Sequence, residues 1–188
     1  MAFSKQMTEN LEHFKQILQT DKNFDVVYRV IDIAGRKGCL FCVDGFTKDE
    51  VLLKVLQSWW SIQPEDMPED ADGFSKKYMP YGEVGVLEQE KDVIVQLLSG
   101  ITCIFLDGYD KCLTLDCRTY PARGVGEPEK DKVMRGSRDG FVETLIFNTA
   151  LIRRRIRDPR LIMEILSAGE SSHTCLLYTS DAADDSLR

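Results

Sequence analysis

The sequence predicts an α/β (α+β) fold: a small mixed sheet with two hairpins and packing helices, followed by a long linker helix that leads into a second, truncated α/β subdomain. Three observations carry this. Short Val/Ile/Tyr/Cys-rich runs recur in pairs separated by Gly-containing turns, which is the pattern of hairpins. Between them lie segments whose apolar residues fall at helical spacing. Beyond a Pro/Gly-rich stretch, a second helical pattern closes on five arginines between Arg153 and Arg160.

In chain order, residues 1–22 form an N-terminal helix whose Leu11, Phe14, Ile17 and Leu18 share a face. Residues 23–120 form the first α/β subdomain. Phe24 to Ala34 reads as a strand, Gly35–Gly38 as a turn and Cys39–Val43 as its return. Thr47 and Glu50 have the spacing of a capping box, in which the hydroxyl and carboxylate satisfy free amides of a first helical turn. The helix they open carries Val51, Leu52, Val55, Leu56 and Trp59. The acidic, proline-punctuated stretch 63–72 reads as a solvated loop, since its carboxylates lack EF-hand spacing. Phe74–Met79 predicts a short helix, Tyr81–Leu87 a short strand, and Gln89–Ser99 a helix stopped by Gly100. The continuous apolar run Ile101–Leu106 predicts a buried strand, paired through Asp107–Asp110 with Lys111–Cys117.

Residues 121–160 hold the Pro/Gly linker and the Arg-rich helix. A short helix is expected over Glu129–Met134. The long helix starts at Ser137 or Asp139, either of which can cap it. Its predicted apolar stripe is Phe141, Leu145, Ile152 and Ile156, and Pro159 ends it. Leu161–Leu166 then reads as a strand opening a subdomain that spans 161–174, with its partner strand lost. Cys175 to Asp184 resembles the translation of a sequencing-library adapter, so 175–188 is expected to be a non-native tail.

Composition narrows the function classes. The formal net charge is −7 and 29% of residues are charged, which disfavours generic nucleic-acid binding. The N-terminus has no apolar h-region, and the longest uncharged run, Val93–Leu106, is interrupted by Gln96 and Ser99-Gly100 and is shorter than a membrane-spanning helix needs. Six cysteines without a secretory signal imply reduced thiols. Cys39/Cys42 and Cys112/Cys117 are spaced loosely enough for zinc, but they lie in or beside apolar strand-like runs, where cysteine packs as a small hydrophobe. No metal and no cofactor is expected.

Catalytic machinery is equally hard to find. The chain has two histidines, His13 and His173, no Gly-x-Ser-x-Gly, and no phosphate loop in the Gly35–Gly38 region. A non-enzymatic role is expected. The arginines present two readings: a solvated face or internal salt-bridge partners, and a contact to another subunit, domain or anionic headgroup. The residues assigned to interdomain or intersubunit contact are Arg138, Glu143, Arg153, Arg154, Arg155 and Arg157. Trp59 and Trp60 are core or interface residues, with a ligand-stacking platform as the sharper alternative.

One stretch resembles a known family. Tyr120-Pro121, Arg123-Gly124, Glu127-Pro128, the run Arg135–Thr144 and the run Asn148–Ile156 resemble the signature of the spore germinant-receptor A subunits (GerA type), nearest its stage V sporulation branch. The resemblance spans roughly residues 24–169. It implies two small α/β subdomains joined through the arginine helix, on the cytosolic side of the spore inner membrane, with a membrane domain following. It also implies a role in germination and ion release, through other germination-complex subunits, the protein's own membrane domain and a homo-oligomer as partners. A competing reading is a sensing domain that binds a small-molecule germinant between the two subdomains, with Trp59 and Trp60 lining the site.

Overall fold

The computed structural model describes residues 3–79, 83–119, 141–168, 170 and 174–176. The elements are α1 (Met7–Leu18), β1 (Val26–Ile33), β2 (Arg36–Val43), α2 (Asp49–Trp59), α3 (Ala71–Tyr78), β3 (Val84–Leu87), α4 (Glu90–Leu98), β4 (Thr102–Leu106), β5 (Cys112–Leu115), α5 (Leu145–Arg155), β6 (Leu166–Ala168) and β7 (Thr174–Leu176). The first five strands form one antiparallel sheet in the order β1-β2-β4-β5-β3, while β6 and β7 pair separately. The expected α+β class is the observed one, but the sheet is antiparallel throughout rather than mixed, because its strands are joined by hairpins or pair with reversed direction.

Strand alternation sorts the core into two layers. Opposed residues in an antiparallel pair share a face. The register Val26↔Val43, Tyr28↔Phe41 and Val30↔Cys39 continues through Cys39↔Phe105 and Phe41↔Cys103. This face receives α1 and α4, burying Met7, Phe14, Leu18, Val93 and Leu97 against Phe41, Cys103 and Phe105. The Phe14 and Phe105 rings lie 4.9 Å apart. The other face carries Ile33, Leu40, Ile104, Leu113 and Leu115 and is covered by Trp59 of α2 and Phe74 of α3, whose rings meet edge to face at 5.4 Å. All five residues of β4 are buried, as its unbroken apolar run requires of a central strand.

Cys39, Cys103 and Cys112 sit in the α1/α4 layer. Burial pushes the Cys39 thiol up to about 12, and it drives Cys112 well above its ordinary value. Desolvation disfavours the thiolate at Cys39 and Cys112, where the thiol packs as a small apolar group.

Several local expectations are corrected. The first hairpin turns at Ala34-Gly35, with φ of 52° and 79°, a two-residue turn of the hand that suits strand twist. Lys37 and Gly38 therefore belong to β2 rather than to the turn. Thr47 and Glu50 form no capping box: Lys48 occupies the cap position, with no side-chain cap bond. Phe46 and Lys48 instead exchange backbone hydrogen bonds with Thr119 and Cys117 (2.7 and 2.8 Å). That pairing holds Thr47 in a β-bridge with Arg118, and its hydroxyl donates to the Val43 carbonyl. Asp70, at the end of the supposed loop, is the residue that caps. Its carboxylate accepts from Gly73 N at 2.7 Å, so α3 starts at Ala71 rather than Phe74.

The arginine helix starts later than Ser137 or Asp139. Asn148 accepts from Val142 N (2.7 Å) and donates to Val142 O (2.6 Å). This two-way clamp engages both backbone groups of Val142, and the helix begins at Leu145. The expected short helix over Glu129–Met134 and the linker 121–140 lie outside the described residues. Residues 161–165 form no strand: Leu161 O accepts from Arg153, Met163 N donates to Asn23, and Met163 O accepts from Phe24 N. Only Leu166–Ala168 is extended and paired, and its partner, β7, is present in the chain.

Candidate functional site

The site is the joint where α5 meets the first α/β unit. It is built from three pieces: the 23–25 segment entering β1, the turn after β2, and α5 with the chain that follows it.

The turn supplies the seat. Gly45 has φ +81°, and a Cβ there would lie 2.8 Å from Ile146 Cγ2. Only glycine allows both the left-handed backbone and the close approach of α5. Val43, Phe46 and Ala150 close a small apolar cluster beside it.

Polar groups do the rest, and they are buried. Along α5 the buried residues are Asn148, Thr149, Ala150 and Arg153. The predicted stripe is not the buried face: Phe141 is 61% exposed and Ile156 48% exposed. A helix chooses its inward face by total free energy, and here the long arginine finds enough partners to be drawn in.

Arg153 is wholly buried and has all three guanidinium nitrogens engaged. Nε donates to Asp25 Oδ2 at 2.7 Å and Nη2 to Asp25 Oδ1 at 2.9 Å, a parallel fork. Nη2 also reaches Asn23 Oδ1 (3.3 Å), while Nη1 donates to the carbonyls of Asp158 (3.3 Å) and Leu161 (3.1 Å). Asn23 in turn donates to Leu18 O (2.7 Å) and accepts from Met163 N (2.7 Å). Phe24 N completes the junction by donating to Met163 O. One guanidinium thus ties α5, the exit loop and the entry to β1 into a single node.

The other residues assigned to contacts are placed differently. Arg154, Arg155 and Arg157 are exposed, as is Glu143 just ahead of α5. Arg157 lines a groove of about 430 Å³ together with Glu90, Lys91, Ile94, Val95 and the 158–160 stretch. There Arg160 forks onto Asp158 (Nη2–Oδ2 2.7 Å) and holds that carboxyl down at about 2. Arg138 lies outside the described residues. Trp59 is buried and donates from Nε1 to Tyr78 O at 2.9 Å, whereas Trp60 is 65% exposed. The two indoles do not form one surface.

Asn23, Asp25, Gly45 and Asn148 escaped the sequence reading. Asp44-Gly45 showed a local signal as a strand terminator. Asn23 and Asp25 showed none, because their partners lie more than a hundred residues away in sequence. Among the described residues, no cluster of three or more His, Cys, Asp or Glu could hold a metal, and no helix is long and apolar enough to cross a membrane.

Residues 12–187 match the family model described as Bacillus/Clostridium GerA spore germination protein. The chain belongs to this GerA family. The family match runs past Cys175 into the segment that resembles an adapter. Among its relatives, stage V sporulation protein AF of Bacillus subtilis (strain 168) is 34% identical over 185 residues, covering 95% of this chain and 37% of that protein. Spore germination protein KA of the same organism is 31% identical over 196 residues, covering 100% of this chain and 35% of that protein. The chain therefore spans just over a third of these relatives. In fold it is similar to the N-terminal domain of the A subunit of the Bacillus megaterium spore germinant receptor GerK3. The TM-score is 0.70 at 20% identity, over 93% of this chain and 64% of that one.

Proposed function

We propose that this chain is the N-terminal, non-enzymatic assembly and signalling domain of a spore germination membrane protein, lying on the cytosolic side of the spore inner membrane. In this reading α5 is a rigid joint, and its outward arginines meet other germination-complex subunits or further parts of the full-length protein. The observation that carries the proposal is the Arg153 node. A buried, multiply bonded ion pair adds little net stability but fixes one geometry, since any misalignment leaves a charge stranded. Such a device suits an element that must hold a neighbour at a set angle. The chemistry at the joint is consistent with this role: it offers a fork and a clamp.

The test is made in the full-length protein in spores. Arg154→Glu, Arg155→Glu and Arg157→Glu are combined, and co-purification with other germination subunits and the germination rate are measured. Loss of both at normal protein abundance is expected. Parental germination with intact complexes would refute the assembly role.

A further inference from the structure

α2 and α3 lie over the same face of the sheet without closing on each other. Along α2, Trp59 is buried in the core, and Leu52 and Leu56 pack against it partly buried, as Val51 and Val55 do. The neighbouring stripe Val51, Lys54, Val55 and Ser58, at i, i+3, i+4 and i+7, lines a pocket of about 310 Å³. Met79 and Leu115 complete its apolar walls with Val51 and Val55. This volume falls in the range of small-molecule pockets, about 300–1,000 Å³.

The walls are held by hydrogen bonds rather than by side chains filling the space. Tyr78 O accepts from Trp59 Nε1 (2.9 Å), and the Tyr78 hydroxyl donates to Asp66 O (3.1 Å). Phe74 packs against both Trp59 and Tyr78. These contacts tie the end of α3 to the end of α2 and to the preceding loop. Half-buried Val51 and Val55 gain from being covered. Among the described residues that line it, Lys54 is the one charged side chain, and it is exposed.

We infer that this pocket binds a small amphipathic carboxylate, with a short apolar body between Val51, Val55, Met79 and Leu115 and the carboxylate at Lys54. The neutral walls select an apolar body, and the single cation at the mouth selects an anionic end. The site lies within the first α/β unit and stands apart from the α5 joint, so either can fail without the other.

Octanoate, octylamine and octanol are the probes, titrated into the 188-residue chain and followed by two-dimensional amide NMR. Octanoate is expected to shift the amides of Val51, Lys54, Val55, Met79 and Leu115, with octylamine binding more weakly than octanol. Lys54→Glu, on an exposed helix surface, weakens octanoate about fivefold and strengthens octylamine. Val55→Phe fills the pocket and abolishes all three shifts. Equal binding of octanoate and octylamine, shifts mapping elsewhere, or octanoate affinity unmoved by Lys54→Glu in a folded chain would overturn the assignment.

Discussion

Arg153 and Asp25, 128 residues apart in sequence, form a two-pronged ion pair with both side chains almost wholly buried. The pair joins the arginine helix to the start of the sheet. Truncating one member strands the other charge away from water. Arg153→Met is expected to lower unfolding free energy by about 3–5 kcal/mol, whereas Arg153→Met with Asp25→Leu loses less than the single change. Urea denaturation of the single and double variants measures the difference. Equal losses would show that the pair is not energetically coupled.

The seat for α5 depends on Gly45. Gly45→Ala places a Cβ 2.8 Å from Ile146 Cγ2 on a backbone with φ +81°. The combined strain is expected to cost about 2–3 kcal/mol. Adding Ile146→Ala relieves the collision and leaves the backbone penalty. The midpoint of thermal unfolding should therefore recover partly and not wholly.

Helix capping distinguishes two residues that look alike in sequence. Asp70→Ala removes a real cap from α3 and should destabilise by about 1 kcal/mol. Thr47→Ala removes only a long hydroxyl contact to Val43 O at 3.4 Å and should cost less. Paired urea titrations decide the order, and a larger loss at Thr47 would restore the capping box.

Alkaline pH should weaken the fold. Burial raises Cys39 to about 12, Cys42 to about 11, Cys117 to about 11 and Tyr109 to about 12. Each group holds its proton more tightly when folded, so the folded chain binds more protons than the unfolded one above pH ~9. This stability is fully present below the ordinary thiol range and is lost as pH rises toward about 12. The denaturation midpoint should fall steadily across that window in reducing buffer. At neutral pH, a thiol-reactive chromophore should modify Cys39 and Cys112 only on unfolding.

The parts of the fold legible in sequence are those set by neighbours along the chain. The fully buried strand β4 announces itself as an unbroken apolar run, and α4 by its period and by Gly100 after its cap. The hairpin pairs are local by construction, so their turns point to them even where the turn position is off by two residues.

Several misreadings share a cause: a specific side-chain hydrogen bond outbids a preference read from spacing. Ser137 and Asp139 are good caps, yet α5 begins at Leu145, three residues after the Val142 that Asn148 clamps. The apolar residues of α5 share a stripe with proper spacing, yet the inward face holds Asn148, Thr149 and Arg153.

By itself, then, the sequence determined the α+β class, the two hairpins, the buried cysteines and the family signature, because each is written in composition, short-range period or contiguous motif. Tertiary structure alone decided which arginine of the run is interior. Arg153, Arg154 and Arg155 are chemically identical and adjacent. Only the approach of Asn23 and Asp25, brought there by the folding of the sheet, supplies the partners that make burying one guanidinium tolerable while its neighbours remain at the surface.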